Sequence, residues 1–162
     1  MCCQVFEGIY SDGDRGMSEA LMYAADNGAC IVQCSYGYPA GTFECDDAFI
    51  DNASLEYRAL KYFTNPKNCN HPSLEANIAI FAAGNESASI SGYPGALPMC
   101  ISVTAFGPDF LPAGYTNYGR GCNIAAPGGD LWVGALKEED NISQILSTGL
   151  SEISGDYIWM QG

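Results

Sequence analysis

Residues 77–83 read Asn-Ile-Ala-Ile-Phe-Ala-Ala, an apolar run that no charge interrupts. Polar and apolar residues do not alternate in it, so it predicts a strand buried on both faces. Residues 29–34 (Ala-Cys-Ile-Val-Gln-Cys) and 99–105 (Met-Cys-Ile-Ser-Val-Thr-Ala) repeat the type. Stretches of helical period separate these runs. Over 16–27, Met17, Ala20, Leu21, Ala24 and Ala25 recur three and four apart, and Gly28 stands where a helix cap belongs. Over 46–63, Phe49, Ala53, Tyr57, Leu60 and Phe63 make one stripe, which Asn65-Pro66 ends. Buried strands alternating with amphipathic helices predict an α/β fold of three layers: a mostly parallel sheet with helices on both faces. Short strands are further expected at 4–6, 123–126, 144–147 and Tyr157–Met160, in a second half of the chain rich in Gly, Pro and Asn.

A length of 162 residues suits one domain. Six Lys and Arg against nineteen Asp and Glu leave a net charge of −13. That excludes a general nucleic-acid binder, which needs clustered basic charge, and disfavours an anionic membrane surface. No apolar run approaches the ~18 residues of a membrane span. The start, Met-Cys-Cys-Gln-Val-Phe-Glu, lacks the basic head and long apolar stretch of a signal peptide. Of the eight cysteines, none form C-x-x-C, and His71 is the single histidine, so no zinc finger is expected. Cys30, Cys34 and Cys100 fall in strand runs as small buried hydrophobes. Cys45 and Cys69 flank the second helix and could pair in an oxidising compartment.

The residues alone assemble no complete acid–base–nucleophile set. There is no G-x-S-x-G elbow, Walker loop or H-E-x-x-H, and His71 lies in a loop signature, Cys69-Asn70-His71-Pro72. In open α/β sheets ligands bind at the carboxyl ends of strands. This draws attention to Ser35-Tyr36-Gly37 and Gly84-Asn85-Glu86. Asn85 ends a buried strand after three small residues, Ala82, Ala83 and Gly84. An amide held there can donate to a developing oxyanion, or it can simply belong to a turn; on these residues both readings stay open.

Six segments, in order, resemble the subtilisin-like serine endopeptidases. They are 24–37 (Ala-Ala-Asp-Asn-Gly-Ala-Cys-Ile-Val-Gln-Cys-Ser-Tyr-Gly), Phe81-Ala82-Ala83-Gly84-Asn85-Glu86, Tyr93-Pro94-Gly95-Ala96, Ile101-Ser102-Val103-Thr104-Ala105, Tyr115-Thr116-Asn117-Tyr118-Gly119 and Asn123-Ile124-Ala125-Ala126-Pro127-Gly128. The resemblance covers most of the chain and implies a partial peptidase domain over 1–162, with an insertion within 38–76. It implies that Asn85 is the oxyanion-hole asparagine; the cost of losing that donor, about 10²–10³-fold in kcat, is known from subtilisin itself. Ser35, Tyr36 and Gly37 match the segment that pairs with substrate backbone. Ala82, Ala83 and Gly84 match a wall of the pocket for the residue before the cut. Glu86 is expected at its mouth, favouring a basic residue there, and Tyr36 is expected to reshape neighbouring subsites.

The family triad is Asp, His and Ser. Its Asp and His motifs fall before the region matching Gln4, and Gly162 matches the first residue of the Gly-Thr-Ser-Met-Ala motif that holds the serine. The 162 residues alone are therefore expected to be catalytically silent, to expose apolar strand surface, and to be marginally stable. The implied partner is a peptide or protein substrate, in a secreted or cell-envelope protein. No cofactor is implied, although the family's intact domain often binds calcium. The alternative is a non-catalytic module of the same fold that binds peptides or serves as scaffold.

Overall fold

The structure, a computed structural model, describes residues 14–131, 143–149 and 155–162. The elements run α1 (Asp14–Asp26), β1 (Ile31–Cys34), α2 (Asp46–Asn52), α3 (Ser54–Phe63), a 3-10 turn (Pro66–Asn68), β2 (Ile78–Ala82), β3 (Cys100–Phe106), β4 (Ile124–Pro127), β5 (Ile145–Thr148) and β6 (Tyr157–Met160). Strands β1 to β4 form one parallel sheet in chain order. Strands β5 and β6 form a separate antiparallel pair in which Leu146 faces Trp159. The strand expected at 4–6 lies outside the described residues.

Local chemistry explains the boundaries. Helix α1 closes through Gly28 N–H to the Ala25 carbonyl at 3.1 Å and Ala29 N–H to the Ala24 carbonyl at 2.9 Å. The single helix expected over 46–63 is two. Ala53 leaves helical geometry (φ −117°, ψ 43°) while its N–H caps α2 on the Phe49 carbonyl. The Asn52 side chain bonds back to the Ala48 carbonyl at 2.7 Å, a short polar side chain competing with the ladder at the break. The apolar stripe survives the kink: Phe49, Ala53, Leu60 and Phe63 are all buried. Asn65 then caps the 3-10 turn by accepting from Lys67 N–H.

The core lies between the helices and one sheet face. Leu21, Ala24 and Ala25 of α1 and Ala59, Leu60 and Phe63 of α3 pack with Cys34, Ala79, Phe81 and Cys100, which the register puts on one side of the sheet. Each fully buried Leu or Phe contributes about 1.5–3 kcal/mol. An aromatic group welds residues 38–49 to this core. Phe49 stacks on Tyr93 at 5.2 Å, Phe43 stands edge-on to both, and the Tyr93 hydroxyl donates to Asp46 Oδ1 at 2.6 Å.

The opposite face corrects the expectation that the strands are buried on both sides. Ile31, Ile101 and Ile124 point there and are exposed, Ile31 by 56% and Ile124 by 58%. Ile80 and Val103 lie between them in register, half-buried. Among the described residues all three α-helices pack on the other side. The layered α/β architecture is thus present, and among the described residues no α-helix covers this apolar face.

The cysteines divide. Cys34 and Cys100 are buried as expected, while Cys30 is only half-buried and precedes β1. Cys45 and Cys69 are free thiols, not a bridge; Cys69 Sγ instead donates to the Leu74 carbonyl. His71 lies in a loop, its Nδ1 accepting from Ser73 N–H at 3.2 Å.

Candidate functional site

A cleft of about 200 Å³ opens at the carboxyl end of the parallel sheet. Its walls come from the tips of β2, β3 and β4: Ala82, Ala83, Gly84 and Asn85, then Thr104 and Ala105, then Pro127 and Gly128. Ser35, just past β1, and Gly162, just past β6, complete it. These strand ends converge because the strands are parallel and in register, so the residues following each emerge side by side.

Asn85 is exposed and lines this cleft. A Cβ built on Gly162 would stand 3.5 Å from Asn85 Nδ2, so the amide and the Gly162 backbone are neighbours. The approach to Asn85 needs a glycine before it. Gly84 has φ +109°, and a side chain there would strike Asn117 Nδ2 and Glu86 Oε2. Small residues at 82 and 83 leave the strand end open to the cleft, as their size predicts.

Ser35 faces the cleft, whereas Tyr36 turns the other way. Alternation along the chain puts Cys34 and Tyr36 on the helix-covered side. The Tyr36 ring meets Phe81 edge-on at 5.9 Å and packs on the core. Burial, then the neighbouring Cys34, raises its hydroxyl well above the ordinary phenol range. Its half-buried side chain packs against the core and does not line the cleft. The backbone of this segment is open: among the described residues no backbone–backbone hydrogen bond engages Ser35, Tyr36 or Gly37. The next residue is tied down, Tyr38 N–H donating to the Tyr93 carbonyl at 2.7 Å.

Glu86 is exposed and lies outside the cleft lining. Its Oε2 accepts from Asn117 Nδ2 at 2.6 Å and, more weakly, from Ala40 N–H at 3.5 Å. Of the residues singled out in the sequence, the structure thus joins Ser35, Ala82, Ala83, Gly84 and Asn85 in one cleft. It leaves Tyr36, Gly37 and Glu86 beside it.

Two residues without a predicted role prove central. Asn117 is fully buried and bonded on both amide atoms. The Tyr115 hydroxyl touches Gly128, Gly129 and Gly162. In the sequence both sit in Tyr-Thr-Asn-Tyr-Gly, which reads locally as turn chemistry. Burial of that asparagine is a tertiary fact with no local signal.

Among the described residues no group of three or more His, Cys, Asp or Glu side chains could hold a metal ion. Nor is any helix among them long and apolar enough to cross a membrane.

A family model described as the subtilase family, peptidase S8, matches residues 10–162. The thermophilic serine proteinase of Bacillus sp. (strain AK1) is 27% identical over 115 residues, 71% of this chain and 24% of that protein. Halolysin of Haloferax mediterranei is 41% identical over 51 residues, 32% of this chain and 10% of that protein. Among solved structures, the prenylagaramide maturation protease PagA superposes with a TM-score of 0.65 at 22% identity, covering 93% of this chain and 43% of its own. The epidermin leader peptide processing serine protease of Staphylococcus aureus, as its S393A mutant, gives 0.68 at 21% identity, with 96% of this chain and 42% of that one covered. These structural likenesses establish the fold. The chain spans less than half the length of each of these relatives.

Proposed function

We propose, starting from the premise that the chain belongs to the subtilase family, that it forms part of a secreted or cell-envelope serine endopeptidase and supplies that enzyme's oxyanion donor and substrate-binding edge. One observation carries the reading: Asn85 stands exposed in the cleft at the sheet's carboxyl end, its Nδ2 beside the Gly162 backbone. In the family pattern that glycine directly precedes the segment bearing the nucleophilic serine.

The roles are those the family resemblance implies, and the geometry supports them. An extended peptide lies along Ser35, Tyr36 and Gly37, whose backbone groups are free to pair with it as an added strand. The residue before the scissile bond sits against Ala82, Ala83 and Gly84. As the carbonyl carbon becomes tetrahedral, its oxygen gathers charge, and the Asn85 amide donates to it. Such a donor helps only where charge develops, so it acts on kcat more than on KM. Attack itself needs a serine and its base. Among the described residues the cleft lining contains no histidine and no carboxylate side chain.

The polypeptide of 162 residues by itself is accordingly proposed to be silent. Peptide hydrolysis is the test, comparing this polypeptide with the protein expressed together with whatever coding sequence lies on either side. The expected result is turnover only in the longer form, abolished by a serine-directed inhibitor. Turnover by the 162 residues alone would overturn the silent assignment. A longer form that binds peptides without cutting them would favour the non-catalytic module.

A further inference from the structure

The loop that carries Asn85 hangs on one side chain, that of Asn117. Asn117 Oδ1 accepts from Glu86 N–H at 3.1 Å and Ala88 N–H at 2.9 Å; its Nδ2 donates to the Ala83 carbonyl at 2.9 Å and to Glu86 Oε2 at 2.6 Å. Both donors and both acceptor sites of the amide are in use. Asn117 backbone N–H adds a bond to the Gly84 carbonyl at 3.1 Å. These bonds grip the chain at 83, 84, 86 and 88. Asn85 lies between them, its own side chain entering no hydrogen bond among the described residues.

The two preceding residues reach elsewhere. Thr116 Oγ1 accepts from Ala105 N–H in β3 at 2.8 Å. The Tyr115 hydroxyl lies 2.9 Å from the Gly128 carbonyl and 2.8 Å from that of Gly129, and it accepts from Gly162 N–H at 3.0 Å. A Cβ on Gly128 would come within 2.8 Å of that hydroxyl and 3.1 Å of the Gly162 oxygen, so the contact depends on glycine there.

We propose that residues 115–117 are the positioning element of the site: Asn117 sets where the Asn85 amide stands, the Tyr115 hydroxyl sets where the Gly162 backbone stands, and Thr116 fixes both to β3. This rests on Asn85 being the oxyanion donor. The physical need is clear. Asn85 and Gly162 both follow strand ends, where backbone is least constrained, yet a donor must lie about 2.7–3.1 Å from the oxygen it serves. A misplacement of about 1 Å can cost on the order of 10²-fold in rate. One short stretch bonded to both sides removes that freedom.

The test is a kinetic cycle in the protein expressed with its flanking coding sequence, with amide hydrogen exchange on the same samples. Asn117→Ala is expected to lower kcat by about 10–100-fold with KM changed less than about twofold. In an Asn85→Ala background it should cost less than about threefold more, because it acts through Asn85. Full additivity of the two losses would overturn the proposal. Asn117 is buried, so Asn117→Ala can unfold the protein, and two gentler variants carry the test independently. Asn117→Asp sets a second carboxylate against Glu86; adding Glu86→Gln restores a donor to it and should recover kcat by at least about fivefold. Tyr115→Phe keeps the ring and loses the hydroxyl, and is expected to lower kcat about tenfold and speed exchange of the Gly162 amide. Failure of the pair to recover activity, or an unchanged kcat in Tyr115→Phe, would contradict it. An inactive wild type in which Asn85→Ala changes nothing removes the reading of Asn85 instead. Exchange at Glu86 and Ala88 then decides the placement: protection lost in Asn117→Asp and regained in the pair upholds it, and unchanged protection refutes it.

Discussion

Both faces of the four-stranded sheet carry apolar residues, yet they meet different surroundings. On one, Cys34, Ala79, Phe81 and Cys100 lie under α1 and α3, with Phe81 only 1% exposed. On the other, Ile31, Ile80, Ile101, Val103 and Ile124 form a β-branched apolar surface with no α-helix against it among the described residues. Apolar strand composition therefore reports what a strand is suited to, not what covers it. The contrast also separates structural from chemical duties. The covered face supplies cohesion, and the cleft opens where the uncovered face meets the carboxyl ends of its strands.

The contrast can be broken by stability measurements. Phe81→Ala deletes a fully buried ring between the helices and the sheet and should cost about 3–5 kcal/mol, enough to unfold a marginal domain; thermal melting by circular dichroism reads it. A small shift would mean that the covered face is not the cohesive one. A second, intermediate effect comes from pH. Burial, with Cys34 and Glu56 adding, pushes the Cys100 thiol from an ordinary 9.0 up to about 12. The unfolded chain releases this proton first. Between those values the folded state holds more protons, so stability falls as pH rises through the window and is untouched by this group below it. Cys100→Ala should flatten part of that alkaline slope in urea melts run at pH 8 to 11; an unchanged slope would place the cause elsewhere. The smallest effect belongs to the open face. Ile124→Thr should stay within about 0.5 kcal/mol of wild type while reducing light scattering on warming. A loss as large as that of Phe81→Ala would show that something covers Ile124 after all.

Much of the fold was legible because its signals are local. The run at 77–83 and the stripe of Phe49, Leu60 and Phe63 survive as β2 and as the buried side of α2 and α3, since period and apolarity decide burial there. The break at Ala53 was not legible, because a single residue leaving helical geometry does not disturb a stripe. Asn85 was legible as a strand-end amide, and the resemblance gave it a role. The inward turn of Tyr36 was not legible, because it follows from alternation with Cys34 and from the Phe81 ring that it meets. The work of Asn117 and Tyr115 was invisible because their partners lie up to 47 residues away in sequence. The pairing of β5 with β6 joins two segments that composition alone does not align.

The central claim is that Asn85 serves chemistry rather than a turn. Steady-state peptide hydrolysis by Asn85→Ala, in the protein expressed with its flanking coding sequence, addresses it most directly. The expected result is a kcat lowered by about 10²–10³-fold with KM nearly unchanged and the melting temperature preserved. A kcat equal to wild type, or a loss confined to KM, would contradict it.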